Sequence, residues 1–425
     1  MTSSVRPLRI LIFTIGSAGD VHPLLGIGTA LVARGHEVIV ATSPVFETEI
    51  IARNMGFRPL GSEEDFDRVK NDPDLWHPRR AFPAIVRHAV NPSHSTIFEI
   101  TRELHVPGKT VVVANSLAFA ARTACEVFNL PMASVHLAPS LFPSVHRQPE
   151  IHGMPFGNRA PRFLKSLQWS IAAAVVDHHA LPALNRFRAG LSLPPARKLL
   201  RNWWHSPDRV IALFPDWFAP PQPDWPSQTV QTGFPLFDET KGESGSDELD
   251  RFLSAGPPPV AITAGSAMVQ GHSFFREAAA AVSQLGRRAI FLTRHASQLP
   301  AKLPEGCAHF TYVPFSALLH RSAAIIHHGG VGTCAQALQA GIPQLIQPMA
   351  HDQLDTLSRV RDLGVGIGLR PKHFTRLRIA AALERLEKDE SFRDNARKVA
   401  HRFQPDLWMT NTCETLESLA GPATD

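Results

Sequence analysis

Ala323-Ala324-Ile325-Ile326-His327-His328-Gly329-Gly330-Val331-Gly332-Thr333 reads as a buried strand, a glycine-rich turn and the opening of a helix. The apolar run has the unbroken character of a strand covered on both faces. Glycines allow a tight turn, and the periodic apolar residues that follow predict a helix over 332–340. The alternation continues on both sides, with strands predicted over 260–264, 289–292 and 342–347 and helices over 274–285 and 353–363. Nearer the N-terminus, Leu8 to Ile15 reads as a strand and Gly16 to His22 as a loop. A helix from Pro23 to Arg34 follows, with proline in its first turn and Gly35 ending it. Strands over 37–42, 110–114 and 131–136 and a helix over 117–128 complete that half. Strands alternating with helices define an α/β chain of two doubly wound, parallel-sheet, Rossmann-like domains. Residues 215–259, rich in Pro, Gly, Ser and acid, read as the linker. The predicted domains are 1–238 and 239–400, with 401–425 as a final helical segment. Ligands gather beyond the carboxyl ends of such strands. The loops 16–22, 265–272, 313–315, 327–333 and 348–355 are therefore expected to meet in a central cleft.

Composition bounds the function. The chain has 425 residues, 44% hydrophobic and 19% charged, with mean hydropathy −0.07, which excludes disordered and collagen-like classes. Its four cysteines (Cys125, Cys307, Cys334, Cys413) lie far apart. Neither a disulfide framework nor a cysteine-ligated zinc site fits, and a cytoplasmic location is expected. No apolar run approaches the roughly 18 residues of a membrane span, and no signal-peptide pattern opens the chain. The net charge is +5, yet residues 147–209 alone hold ten Lys/Arg against three acids. Phe163, Leu164, Leu167, Trp169, Ile171, Leu181, Leu184 and Phe187 interleave with those charges, partly at helical spacing. A basic amphipathic segment suits an anionic membrane face or an acidic substrate; a solvated helix face over a core gives the same pattern.

The turn after His327 offers free backbone N–H groups and a helix dipole, which attract phosphate. Gly329, Gly330 and Gly332 remove side chains from an approaching anion, Thr333 can present a hydroxyl, and His328 can donate a hydrogen bond. A tight strand-to-helix turn would need the same glycines. After the next strand comes Pro348-Met349-Ala350-His351-Asp352-Gln353. Asp352 and Gln353 could bind vicinal sugar hydroxyls, although aspartate equally favours an N-cap. Tyr312, the only tyrosine, stands in Tyr312-Val313-Pro314, where its ring could stack on a nucleobase or pack in the core.

The ordered set Tyr312-x-Pro314, His328-x-Gly330-x-x-Thr333 and Asp352-Gln353 resembles the donor signature of family 1 glycosyltransferases of the GT-B fold. Gly16-Ser17-Ala18-Gly19-Asp20-Val21-His22-Pro23 is similar to the acceptor-side loop of its bacterial, fungal and sterol branches. Residues 71–76, His205-Ser206-Pro207, 214–221 and 232–238 resemble the rhamnosyltransferase branch of rhamnolipid biosynthesis.

The resemblance implies an inverting transfer from a nucleoside diphosphate sugar, dTDP-L-rhamnose first and a UDP-sugar second. Implied donor contacts are Gly16, Ser17, Gly19, Gly265, Ser266, Tyr312, Val313, His328, Gly329, Gly330, Gly332, Thr333, Asp352 and Gln353. The acceptor's proton needs a base. Asp20 follows Gly19, where the family commonly has His, and is the first candidate, with His22 the second; Asp20 would otherwise cap the helix at Pro23. An ordinary carboxylate is too weak a base, so Asp20 needs a dry pocket. No acidic pair suggests Mg²⁺, so metal-independent activity without a further cofactor is expected, with the helix N-terminus, His328, Thr333 and Gly265-Ser266 supplying positive potential. Phe142, Phe163, Trp169 and Trp203 are acceptor candidates for an amphiphilic 3-(3-hydroxyalkanoyloxy)alkanoate, and peripheral attachment to an inner membrane face would deliver it. No nucleic-acid partner is expected, and oligomeric state stays open. By analogy, the last helix crosses back to the first domain. The competing readings are a UDP-glucose-dependent glucosyltransferase acting on a sterol, macrolide or other aglycone, and a non-catalytic nucleotide-sugar-binding partner. A dehydrogenase fits poorly, because Gly16-x-x-Gly19 lacks the dinucleotide spacing.

Overall fold

The computed structural model describes residues 6–77, 79–237, 246–266 and 268–420. The expected boundary at 238/239 and the end of the final segment, 421–425, lie outside them. The chain divides into two compact units, Met1–Pro235 with Gln404–Asp425, and Leu236–Phe403.

Among the described residues the first unit holds seven strands: β1 (Arg9–Phe13), β2 (Glu37–Thr42), β3 (Gly56–Pro59), β4 (Thr110–Asn115), β5 (Met132–His136), β6 (Arg209–Ala212) and β7 (Thr229–Gln231). Their order is β3-β2-β1-β4-β5-β6-β7 and every pairing is parallel. The strand order reverses between β1 and β4, which places the crevice for ligands at the end of β1. Leu11, Phe13, Val112 and Ala114 face a buried cluster with Ile97, Ile100 and Ala121, consistent with strands covered on both faces.

The second unit holds β8 (Val260–Thr263), β9 (Ala289–Leu292), β10 (Cys307–Phe310), β11 (Ala324–His327), β12 (Gln344–Ile346) and β13 (Gly366–Gly368). Their order is β10-β9-β8-β11-β12-β13, again all parallel. The reversal falls between β8 and β11, so the loops after Thr263 and His327 flank that switch point. Ala261, Ile290, Ile325 and Leu318 anchor its core.

Two expectations are corrected. The first helix spans Ala18–Ala33, so Ala18 to His22 are helical and Pro23 lies inside the helix. The start is set by Ser17 and Asp20 rather than by Pro23: Ser17 is the N-cap and Asp20 its third helical residue, the relationship of a capping box. The linker over 215–259 is also too long. Thr229–Gln231 pairs with β6 as an edge strand, and Ser246–Ser254 is a helix. Three residues among prolines carry too little alternation to be read as a strand, yet a short edge strand tolerates prolines beside it.

The last helix, Pro405–Glu417, packs in the first unit. Glu417 accepts from Arg34 Nε at 2.6 Å and Nη2 at 2.8 Å. His36 Nδ1 accepts from the Leu8 amide at 3.2 Å, so its Nε2 carries the proton that meets Glu417 at 2.8 Å.

Candidate active site

In the first unit the chain leaves β1 through Thr14, Ile15 and Gly16. Asn115, at the end of neighbouring β4, holds this exit by donating to the Ile15 carbonyl at 2.7 Å and accepting from the Ile15 amide at 3.3 Å. Gly16 has φ +141°, and a Cβ there would lie 2.2 Å from Asp20 Oδ2. Glycine is what lets the carboxylate fold back over the loop. Asp20 Oδ2 then accepts from the Ser17 amide at 2.9 Å and the Ser17 hydroxyl at 3.2 Å. Burial raises the Asp20 pKa from 3.8 to about 6, outweighing the two Ser17 hydrogen bonds, which lower it. The result is a carboxylate more basic than usual but still largely ionised at neutral pH.

His22 serves a different neighbourhood. Two residues along a helix rotate a side chain by about 200°, so Asp20 and His22 point apart. His22 Nε2 lies 3.2 Å from Glu49 Oε2, and its ring meets Phe46 edge-on at 6.0 Å. Glu49 also pairs with Arg53 at 3.2 Å. Sequence reasoning finds neither Asn115 nor Glu49, which lie far along the chain from the residues they hold.

In the second unit Gly330 is the N-cap of the helix Val331–Gln339. The amides of Val331, Gly332 and Thr333 form its first turn and lack intrahelical partners. His327 is buried and neutral, its pKa lowered to about 3 by burial and by His328. Its Nδ1 accepts from the Gly329 amide at 3.2 Å and its Nε2 meets Gln344 Oε1 at 2.9 Å. Gly329, at φ +96°, would put a Cβ 2.8 Å from Ile346 and 3.3 Å from the Gln353 Cβ. The turn therefore lies directly against the 348–353 loop.

The His328 ring is packed between glycines. A Cβ on Gly265 would lie 2.6 Å from its Cε1, and one on Gly330 2.5 Å from its Nε2. Among the described residues its buried Nδ1 has no hydrogen-bond partner. Burial and the nearby His351 lower its pKa to about 4. The expectation that His328 adds positive potential is thereby corrected: it is neutral at neutral pH and offers a hydrogen bond, not a charge. Ser266 and Gly332 are exposed, while Thr333 is half-exposed at the turn.

The remaining donor candidates divide. Gln353 is buried, and its Oε1 accepts from the Met349 amide at 2.7 Å and the Ala350 amide at 3.0 Å. That leaves its amide N–H as the group for a ligand. Asp352 occupies an N-cap position without making a side-chain cap, so it does not act as a plain capping residue. Tyr312 is half-buried beyond β10, whereas the Val313 side chain belongs to the core; only the main chain at Val313 can meet a ligand.

Three acceptor assignments are corrected. Phe142 is buried, stacked on His205 at 5.6 Å and 4.6 Å from Trp225. Trp203 is buried with the guanidiniums of Arg122 and Arg188 each 4.6 Å from its ring, and its Nε1 donates to the Phe119 carbonyl at 3.2 Å. Trp169 is buried too. Large aromatics gain most by burial, and here their own unit encloses them. Phe163 alone is exposed. Among the described residues no group of three His, Cys, Asp or Glu is arranged to hold a metal ion, and no helix is long and apolar enough to cross a membrane.

Residues 10–134 match the glycosyltransferase family 28 N-terminal domain, and residues 278–418 match the C-terminal domain of erythromycin biosynthesis protein CIII-like proteins. The chain is 28% identical to O-mycaminosyltylonolide 6-deoxyallosyltransferase of Streptomyces fradiae over 97% of its own length and 98% of that protein. It is 28% identical to vancomycin aglycone glucosyltransferase of Amycolatopsis orientalis, over 85% of each chain. Among solved structures, the glycotransferase of kitacinnamycin superposes with TM-score 0.73 at 19% identity, covering 97% of this chain and 99% of that one. Glycosyltransferase VinC in complex with dTDP superposes at 0.66 and 19% identity over 97% and 99%. With residues 10–134 matching a glycosyltransferase domain and two parallel Rossmann-like sheets matching solved GT-B glycosyltransferases, the chain is a glycosyltransferase of the GT-B fold.

Proposed function

We propose that the chain transfers a 6-deoxyhexose, L-rhamnose first, from its dTDP ester to the hydroxyl of a hydrophobic acceptor such as a 3-(3-hydroxyalkanoyloxy)alkanoate, with inversion and without a metal. The observation that carries the chemistry is Asp20, seated by Gly16 and Ser17 at the end of β1 with its pKa raised to about 6. A base of that strength takes the acceptor proton as the oxygen attacks the anomeric carbon. The departing diphosphate is received by the amides of Val331 to Thr333 and the His328 ring, whose preorganised N–H groups favour developing negative charge. The Gln353 amide, its oxygen already committed to the loop, donates to a sugar hydroxyl beside Asp352.

The 6-deoxyhexose is supported by the whole-length likeness to a 6-deoxyallosyltransferase, and the dTDP by the dTDP held in VinC. The rhamnosyl choice rests on the sequence segments 71–76, 205–207, 214–221 and 232–238. A second reading, glucosyl transfer from UDP-glucose to an aglycone, is favoured by the equal identity to vancomycin aglycone glucosyltransferase. The two part on one experiment: thermal-shift titration with dTDP-L-rhamnose and UDP-glucose, followed by mass spectrometry of products with a hydroxyacyl dimer and with a sterol. Protection by dTDP-L-rhamnose and a rhamnosylated acid are expected; protection and a product with UDP-glucose alone would replace the first reading by the second.

A further inference from the structure

The helix Arg162–Gly190 runs for 29 residues and carries four large apolar side chains in one line, each four residues from the next. Phe163 is 70% exposed, Leu167 55%, Ile171 59% and Val175 52%. Residues four apart share a helix face, so these make a continuous stripe about 18 Å long at 1.5 Å per residue. Ser170 and Ala174 lie exposed beside them, and the same line continues through His178, Pro182 and Arg186. The opposite face is spent on folding: Trp169, Ala180, Leu184 and Arg188 are buried.

The exposed charges of the helix itself are basic. Arg159 and Arg162 are exposed at its start and Arg186 at its end. Asp177, the one acid of the helix, is half-buried and accepts from the Leu199 amide at 2.8 Å. The loop that Asn185 ties to Ala196 by two hydrogen bonds adds exposed Arg197, Lys198 and Arg201. A row of exposed aliphatic and aromatic groups is unusual on a soluble surface and marks a contact. Pairing with a second copy across a two-fold axis would set the exposed arginines of one stripe against those of the other. An acidic, apolar plane matches both properties at once.

We propose that this face docks on an anionic phospholipid bilayer, the four apolar side chains entering the headgroup boundary while the flanking arginines pair with lipid phosphates. Arginine suits that position because its stem lies along apolar surface while its head reaches the phosphates. The inference rests on the surface itself and holds whatever the donor or acceptor.

Co-sedimentation of the full chain with vesicles of phosphatidylglycerol and phosphatidylcholine in equal parts, and of phosphatidylcholine alone, tests it without substrate. The wild type is expected to bind the anionic vesicles at least about tenfold more tightly than the neutral ones. F163S/L167S/I171S/V175S, checked for wild-type circular dichroism, should lose at least about tenfold in affinity. Should that variant misfold, F163S/I171S is read the same way. R159E/R162E/R186E should lose the preference for anionic vesicles. A wild type that stays in the supernatant, binding unchanged in either set of variants, or light scattering that shows a dimer broken by the serine substitutions would overturn the proposal.

Discussion

A Cβ on Gly16 would stand 2.2 Å from the Asp20 carboxylate oxygen. The absent side chain and the proposed base occupy one space, so the glycine is part of the base's seat. Gly16→Ala meets both that collision and the strain of φ +141°. It is expected to destabilise the first unit by about 1–3 kcal/mol and to lower kcat at least about tenfold by displacing Asp20. Unchanged kcat in a stably folded Gly16→Ala would remove Asp20 from its proposed seat.

The Asp20 pKa predicts how activity depends on acidity. With burial raising it to about 6, kcat/KM is expected to climb with pH and level off with a half-point near that value. Asp20→Glu should move the half-point, since the longer side chain leaves the Ser17 amide. A profile flat through that region would mean that another group takes the proton.

Stability should run the other way. The folded-state pKa of Asp20 exceeds its ordinary value of 3.8, so its contribution is fully present below that value and is lost as pH rises through about 6. Asp20→Asn, which has no charge to desolvate and keeps an oxygen for the Ser17 amide, is expected to be more stable than wild type by about 1–2 kcal/mol at about pH 8. The two should converge at the acid end of the range. Denaturant unfolding at both pH values checks this; a variant less stable at the higher pH would show that the Ser17 hydrogen bonds outweigh burial.

His328 should act as a neutral donor. With its pKa held down to about 4 by burial and His351, donor affinity is expected to stay flat between mildly acidic and mildly basic pH. His328→Ala should weaken dTDP by about tenfold through the lost hydrogen bond. Affinity that rises steeply on acidification would show a charged imidazolium. Gly265→Ala, which sets a Cβ 2.6 Å from the ring, should weaken dTDP in the same direction.

Glu417 joins the last helix to the first unit through Arg34 and His36. Its pKa is lowered, chiefly by the Arg34 hydrogen bond, so this stability is present above the ordinary carboxylate range and is lost as pH falls. Arg34 is partly exposed, and Glu417→Gln is therefore expected to cost only about 1–2 kcal/mol. Calorimetry at neutral and acid pH reads it, and an equal loss at both would deny the ionic share.

The sheet strands are legible because buried parallel strands are unbroken apolar runs: Glu37–Thr42 and Ala289–Leu292 appear with their predicted bounds. The start of the first helix is harder to read, because Pro23 suggests a first turn while the Ser17–Asp20 pair, the true start, looks like loop. The glycine turn after His327 announces its geometry through composition alone. The aromatics do not: whether Trp203 meets solvent or two guanidiniums depends on Arg122 and Arg188, residues that periodicity does not connect to it. Asn115 and Glu49 are invisible for the same reason, because their work is done across chain separations that carry no local pattern.

The most direct test is Asp20→Asn, with dTDP-sugar affinity measured by calorimetry and the single-turnover rate measured at saturating donor. The account expects affinity within about threefold of wild type and a rate lower by about two orders of magnitude or more. A variant that keeps the wild-type rate would contradict it and hand the proton to His22.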